Sequence, residues 1–323
     1  MYRKFLNFAI FLAFVVVILG AWTRLADAGL GCPDWPGCYG HLTVPDHHPD
    51  GTVIEGFDRP LEAFKGWMEM IHRYAAGILG LVIFTIAYLV MRGKPSFHQG
   101  LGLPIFLSFF VILQAAFGMW TVTLKVHPLI VTTHLLGGFA TASMIFWLRL
   151  KQSRPQLHPT YVPRKVRFLT LFVLLALIFQ IIMGGWTSTN YAALSCGADF
   201  PTCQGQWWPT MDFGDAFFLG PLGHDYEFGV LENPARTAIQ VIHRIGAVVV
   251  LTLSLILLAS IARYRHMKGN VIAIALILFT QIVLGIANVI WSLPLPIAVA
   301  HNAVALMLLL SILALIHKMT RPL

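Results

Sequence analysis

The chain has 323 residues, of which 57% are hydrophobic and 11% are charged. Soluble domains carry about 25% charged residues, so this composition excludes an ordinary soluble protein and predicts a membrane protein. The net charge of +8 does not indicate nucleic-acid binding, because the basic residues collect in alternate loops between apolar segments.

Eight segments are apolar over about the 20 residues that a helix needs to cross the hydrocarbon core. We therefore predict an all-α polytopic membrane protein with eight transmembrane helices, since lipid offers no partner for open backbone groups. The first segment lacks a convincing small-residue cleavage site, so it is interpreted as a span and not as a signal peptide. The segments lie near residues 5–22, 70–91, 101–123, 129–149, 167–186, 238–262, 271–292 and 297–317.

The charge distribution predicts the orientation. Most of the 22 lysine and arginine residues fall in loops on the side of the two termini, whereas the 14 acidic residues fall on the opposite side or at its helix ends. The positive-inside rule then places both termini in the cytoplasm and the cysteine-containing loops outside. No Arg- and Ser-rich transit peptide precedes the first span, which favours a bacterial plasma membrane.

The sequence contains an internal duplication. The segment GAWTRLADAGLGCPDWPGC at 20–38 resembles GGWTSTNYAALSCGADFPTC at 184–203, and Ile-His-Arg occurs at both 71–73 and 242–244. In addition, LQAAFGMWTV at 113–122 resembles TQIVLGIANV at 280–289, and THLLGGFAT at 133–141 resembles AHNAVALML at 300–308. These four landmarks at nearly one offset predict two pseudo-symmetric four-helix bundles, related by an axis along the membrane normal. The predicted units are an N-terminal bundle at 1–150, a cytoplasmic linker at 151–166 and a C-terminal bundle at 167–323.

Four of the 13 histidines lie inside predicted spans, each about one turn from the outer end: His72, His134, His243 and His301. Ionisable residues inside a span are by default functional candidates. Separate interhelical hydrogen bonds are the alternative, but repetition of the pattern in both halves favours a shared role. The other nine are interpreted as solvated surface residues: His41, His47, His48, His98, His127, His158, His224, His266 and His317.

Neutral imidazole binds metals and haem iron. Two imidazoles that face each other across a bundle would hold a planar haem from both sides, which predicts the pairs His72 with His134 and His243 with His301. Zinc is disfavoured, because no third or fourth ligand is available at the same depth.

Three further groups accompany the histidines. Arg73 and Arg244 follow their histidines directly, and either they pair with haem propionates or they are interface anchors. Glu69 precedes His72 by three residues, and its repeat partner is Gln240. A carboxylate there can transfer protons where an amide cannot, although a helix-mouth carboxylate is the simpler reading. The asymmetry predicts reaction in the N-terminal half and a permanently held cofactor in the C-terminal half.

The four cysteines lie in the predicted outer loops, where oxidation to disulfides is permitted. Their short spacing favours two local bridges, Cys32 with Cys38 and Cys196 with Cys203, while other connectivities stay open. Either structural stapling or a redox role is compatible with these pairs.

Taken together, TRLADAGLGCPDWPGC, EMIHR, THLLGG, the second IHR and AHN resemble the haem A synthase family over essentially the full length. The resemblance implies an enzyme that converts the methyl group of haem O to the formyl group of haem A, through successive hydroxylations and loss of water. It implies a haem B cofactor on His243 and His301, a substrate site lined by His72 and His134, and participation of Glu69 in the reaction.

The resemblance also implies a haem O synthase as the substrate supplier and a link to the assembly of terminal oxidases, within membrane lipid and without nucleic acid. The sequence leaves a homo-oligomer open. Three alternatives remain at this point: a di-haem b electron-transfer cytochrome, a membrane thiol-disulfide oxidoreductase, and a haem-handling protein that forms no formyl product.

Overall fold

The computed structural model describes residues 2–46, 48–93, 100–152 and 162–320. Within these residues, each of eight long helices is long and apolar enough to cross a membrane, which confirms the predicted all-α class with eight spans. Residues 153–161 of the predicted linker, together with His47, His98 and His158, lie outside the described residues. The helices are α1 (Tyr2–Leu25), α2 (Ala63–Met91), α3 (Gly102–Thr123), α4 (Pro128–Lys151), α5 (Arg164–Thr189), α6 (Asn233–Ala262), α7 (Lys268–Ile290) and α8 (Leu295–Thr320).

Two helices begin earlier than the sequence predicts. Helix α2 begins at Ala63 and not near 70, and α6 begins at Asn233 and not near 238. Their first turns contain polar residues, which an apolar-run criterion leaves out, and α6 has a proline in its first turn, where the missing N–H is tolerated. Glu69 and His72 therefore lie well inside a helix and not at its mouth.

Each half forms a closed four-helix arrangement. In the first half α1 packs on α2 and α4, and α3 packs on both α2 and α4; α5 to α8 pack in the same order. The halves meet where α1 contacts α8 and where α4 contacts α5 and α8. The two halves therefore share one order of helix contacts, while their pseudo-symmetry stays a prediction. The apolar core lies mainly at the end of the bundle away from the cysteines.

The two loops that bear the cysteines, residues 26–62 and 190–232, are here called the disulfide loops. Cys32 is bonded to Cys38 and Cys196 to Cys203, which confirms the local pairing. Both loops turn back in the same way after the second cysteine, since Cys38 pairs with His41 and Cys203 with Gln206. An aspartate carboxylate accepts a backbone N–H in each turn, Asp34 from Gly40 and Asp199 from Gly205.

An ion-pair cluster joins the two disulfide loops. Arg59 of the first loop donates to Asp225 at 2.8 Å and to Glu227 at 2.6 Å in the second. Burial lowers the pKa of the Arg59 guanidinium, but the hydrogen bonds and charges of Glu227 and Asp225 outweigh burial and raise it. The cluster therefore fastens the halves together at the disulfide end.

We expect Arg59→Met to lower the thermal stability of the purified protein, because it removes both contacts across the halves. Partly exposed pairs contribute about 0.2–1 kcal/mol each and are screened by salt, so the loss should be modest and smaller at high ionic strength. Thermal unfolding in detergent at two salt concentrations measures it. Lys65→Met is the matched control, since Lys65 pairs with Glu62 inside one half; an equal loss in both variants would contradict the inter-half role.

Candidate functional site

One large cavity, of about 1700 Å³, extends through both halves. Ligand pockets commonly enclose about 300–1,000 Å³, so this cavity is large enough for more than one large ligand. The predicted site residues that line it are His72, His134, His243, His301, Glu69, Arg73 and Arg244. The structure thus brings together the groups that the sequence singled out, apart from three of the four cysteines; Cys203 lines the cavity as well.

Each of the four histidine rings lies against a glycine of the preceding helix. Glycine is needed for this close approach, because a Cβ would meet the ring and force it to shift. The distances from such a Cβ to the ring Cε1 atom are 2.9 Å for Gly20 and His72, 3.3 Å for Gly118 and His134, 3.3 Å for Gly184 and His243, and 3.1 Å for Gly285 and His301. The four rings are therefore seated alike, as the duplication requires.

The rings lie in the predicted pairs. His134 is within electrostatic range of His72, and His243 is within range of His301. Among the described residues, no group of three or more His, Cys, Asp or Glu side chains is placed to hold a metal ion. Two imidazoles per half fit haem, whose porphyrin supplies the other four ligands, and each pair has a buried Nδ1, of His72 and of His301, without a hydrogen-bond partner in the described structure.

Three glutamines contact the histidines, and the sequence reasoning missed them. The Gln114 amide nitrogen lies 3.0 Å from Nδ1 of His134, and that of Gln180 lies 3.1 Å from Nδ1 of His243. The Gln281 amide nitrogen lies 3.2 Å from Nε2 of His301. A signal was present in the sequence, because each glutamine precedes one of the ring-contacting glycines by four residues, which places both on one helix face.

Glu69 is 5% exposed and is held by two partners. Its Oε1 accepts from Arg73 at 2.5 Å, and its Oε2 accepts from the backbone N–H of Cys32 at 3.0 Å. Gln240, at the equivalent position, is equally buried, and its Oε1 has no partner among the described residues. The two halves thus differ at this position as the sequence indicates, and the helix-mouth reading of Glu69 is wrong because α2 begins at Ala63.

Both arginines that follow a histidine hold a disulfide loop. Arg73 donates to the carbonyls of Pro36 and Gly37. Arg244 donates to the carbonyls of Thr202, at 2.7 Å, and Asp199, at 3.0 Å. Contact with haem propionates stays a prediction for both, and the structure adds a second role, which is to fix each loop over the cavity.

Arg24 lies between the two halves. It donates to the Ser188 carbonyl at 2.7 Å and to the Tyr191 hydroxyl at 3.1 Å, and its guanidinium lies 4.4 Å from the centre of the Tyr191 ring. Burial raises the pKa of the Tyr191 hydroxyl, so this group stays protonated and donates to Asp27 at 2.8 Å. The cavity therefore has an ordered polar wall where the halves meet.

His127 corrects one prediction. The sequence analysis placed it among the solvated histidines, but its side chain is 2% exposed and neither ring nitrogen has a partner in the described structure. Its ring packs edge-on against Tyr226, with centroids 4.9 Å apart. The second disulfide loop folds over His127 from the other half of the chain, a contact that local sequence does not reveal.

The chain is similar to known proteins over nearly its full length. A family model described as cytochrome oxidase assembly protein matches residues 3–313. A haem A synthase of Shewanella oneidensis is 43% identical over 306 residues, which cover 93% of this chain and 91% of that protein. Haem A synthases of Rhizorhabdus wittichii and Caulobacter vibrioides are 29% and 27% identical, over 96% of this chain and 92% and 94% of their own lengths. The range that the family model matches spans both halves and the positions of all four histidines.

Proposed function

The chain belongs to the cytochrome oxidase assembly protein family, and on that premise we propose that it is an enzyme that oxidises haem O to haem A for haem-copper terminal oxidases. The observation that carries the proposal is the duplicated histidine pair within one cavity, combined with a buried carboxylate in one half only. The methyl carbon of haem O becomes a formyl carbon, through successive hydroxylations and loss of water.

The roles of the residues follow the two halves, residues 1–150 and 167–323. In the N-terminal half His72 and His134 flank the substrate haem O, and Glu69 exchanges a proton beside the reacting substituent. In the C-terminal half His243 and His301 would hold a haem B cofactor, which supplies electron transfer to or from the reaction. Arg73 and Arg244 each keep a disulfide loop closed over the cavity.

A lateral route for a lipophilic substrate supports this assignment. Leu81 and Phe84 of α2 and Ile112 of α3 line the cavity, yet they are 68%, 42% and 56% exposed. The cavity therefore reaches the apolar outer surface of the N-terminal half between α2 and α3. The farnesyl tail of haem O suits entry from lipid through this opening.

The setting of the enzyme is part of the proposal. The chain is a multi-pass membrane protein. Its loop charges favour an orientation with both termini in the cytoplasm and the disulfide loops outside, and we propose a bacterial plasma membrane as its location. A haem O synthase in the same membrane would supply the substrate, and factors that assemble the terminal oxidase would receive the product.

Coexpression with a haem O synthase tests the function. We expect the purified protein to contain haem B together with haem O and haem A, where haem A differs from haem O by one added oxygen and two lost hydrogens. Mass analysis of the extracted haems measures this, with cells that lack the chain as control. Haem B alone would contradict the proposal and favour an electron-transfer cytochrome, and a colourless but active protein would favour a thiol oxidoreductase.

A further inference from the structure

A repeated five-residue pattern distinguishes one histidine from the other three. Each ring-contacting glycine is preceded, one helical turn earlier, by a residue on the same helix face. That residue is glutamine in QAAFG (114–118), QIIMG (180–184) and QIVLG (281–285), but it is Val16 in VVILG (16–20). The exception, VVILG, ends in Gly20, which contacts the His72 ring.

The glutamines restrict the motion of their histidines. Besides the ring nitrogen, the Gln114 amide also donates to the backbone carbonyl of His134 at 2.5 Å, and the Gln180 amide to that of His243 at 2.9 Å. A ring tied to its own backbone through one amide resists rotation. An amide carries a donor and an acceptor and can partner either tautomer of the ring, and the Oε1 atoms of Gln180 and Gln281 have no partner in the described structure. They are acceptors of the kind that the second N–H of an iron-bound imidazole requires.

His72 lacks such an anchor. Val16 offers no polar side-chain atom, and Nδ1 of His72 is buried without a hydrogen-bond partner among the described residues. The ring is therefore positioned by packing against Gly20 and by a hydrogen bond to the Val16 backbone, without a side-chain amide. In the N-terminal half a glutamine amide contacts His134 and valine replaces it beside His72, whereas in the C-terminal half glutamine contacts both histidines.

Three of the four residues that lie three positions after a histidine follow this difference; the fourth, Val304 after His301, is not a glycine although Gln281 contacts that ring. At Gly137 and Gly246 an added Cβ would lie 1.9 and 2.1 Å from the Oε1 atoms of Gln114 and Gln180, so glycine is needed to make room for the amide. The equivalent residue after His72 is Ala75. Around His72, α1 therefore lacks the glutamine, and α2 lacks the glycine that would make room for it.

We propose that Val16 and Ala75 leave His72 as the releasable imidazole of the four, so that the N-terminal half exchanges its haem while the C-terminal half retains it. Gln114 and Gln180 act as positioning residues through the histidines they hold. This inference rests on the proposed function, which places the substrate haem beside His72. An enzyme that must release its product needs one weak ligand at the substrate site and none at the cofactor site.

The double variant Val16→Gln with Ala75→Gly tests the proposal by transplanting the anchor. We expect haem O and haem A to leave the purified protein about two- to tenfold more slowly, the effect of one net hydrogen bond, while release of haem B stays unchanged. Transfer to excess apomyoglobin, followed by separation of the haems, gives each rate. Ala75→Gly alone, and Val16→Met with Ala75→Gly, are the controls without an amide.

The reciprocal variant Gln180→Met removes an anchor from the other half. We expect haem B to leave about two- to tenfold faster, with a side chain of similar length still packed over Gly246. Equal release from the double variant and its controls would overturn the proposal; if that variant does not accumulate, unchanged release from Gln180→Met would overturn it. If the natural protein holds only haem B in both halves, the proposed function fails. The proposal about His72 is still tested, because the release rates compare a haem beside His72 with a haem whose histidines both contact glutamine.

Discussion

Replacing His301 with glycine should remove haem B from the purified protein and abolish formation of haem A, while the chain still inserts and folds. In the proposed assignment this imidazole is one of two protein ligands of the iron in the C-terminal half, and no group of three or more ligating side chains is present among the described residues. Loss of a group that merely supports a ligand lowers metal affinity by about 10- to 100-fold, so loss of the ligand itself should cost at least as much. Haem B per mole of protein and the low-spin absorption spectrum measure the effect.

Imidazole in the medium should partly restore haem B to His301→Gly, because the lost side chain leaves room beside Gly285. His266→Ala is the control, since this exposed histidine lies in the α6–α7 connection, outside the cavity lining. A full complement of low-spin haem B in His301→Gly would refute the ligand assignment. Rescue by imidazole would separate a lost ligand from a damaged fold.

The repeat allowed the histidine pairs to be predicted from sequence. His72, His134, His243 and His301 recur at nearly one offset, and each lies near the same predicted end of its span. The local disulfides were predictable for a related reason, since a few residues separate each pair. Periodicity, charge and spacing are local properties, and they were sufficient for these features.

Contacts between distant segments were not predictable in the same way. His127 is buried by Tyr226, about 100 residues later in the chain, and Arg59 meets Glu227 from the other half. The early start of α2 was missed because Lys65 and Glu69 interrupt its first two turns, so the continuous apolar run begins later. The glutamines repeat at a fixed spacing from the glycines, but an uncharged amide in an apolar helix is a weaker signal of function than an ionisable histidine.

Glu69→Gln should reduce haem A formation by about 10²- to 10⁴-fold, the usual contribution of a positioned acid or base, and should leave haem B in place. Glutamine has nearly the same shape and still offers an oxygen to Arg73 or to the Cys32 N–H, but it cannot exchange a proton. The fold should tolerate it, because Arg244 makes its carbonyl contacts beside the neutral Gln240 in the other half. Extracted haems from cells that also make haem O give both readouts.

Glu62→Gln provides the matched control, because Glu62 directly precedes α2 and its side chain is 54% exposed. It removes a carboxylate from the same segment without reaching the cavity, so haem A formation should persist. Accumulation of haem O in Glu69→Gln, with normal haem B, would locate the defect at the oxidation of the substrate and not at haem binding. Haem A at the level of the natural protein would instead mean that Glu69 only ties α2 to the disulfide loop, and the proton-transfer role would have to be abandoned.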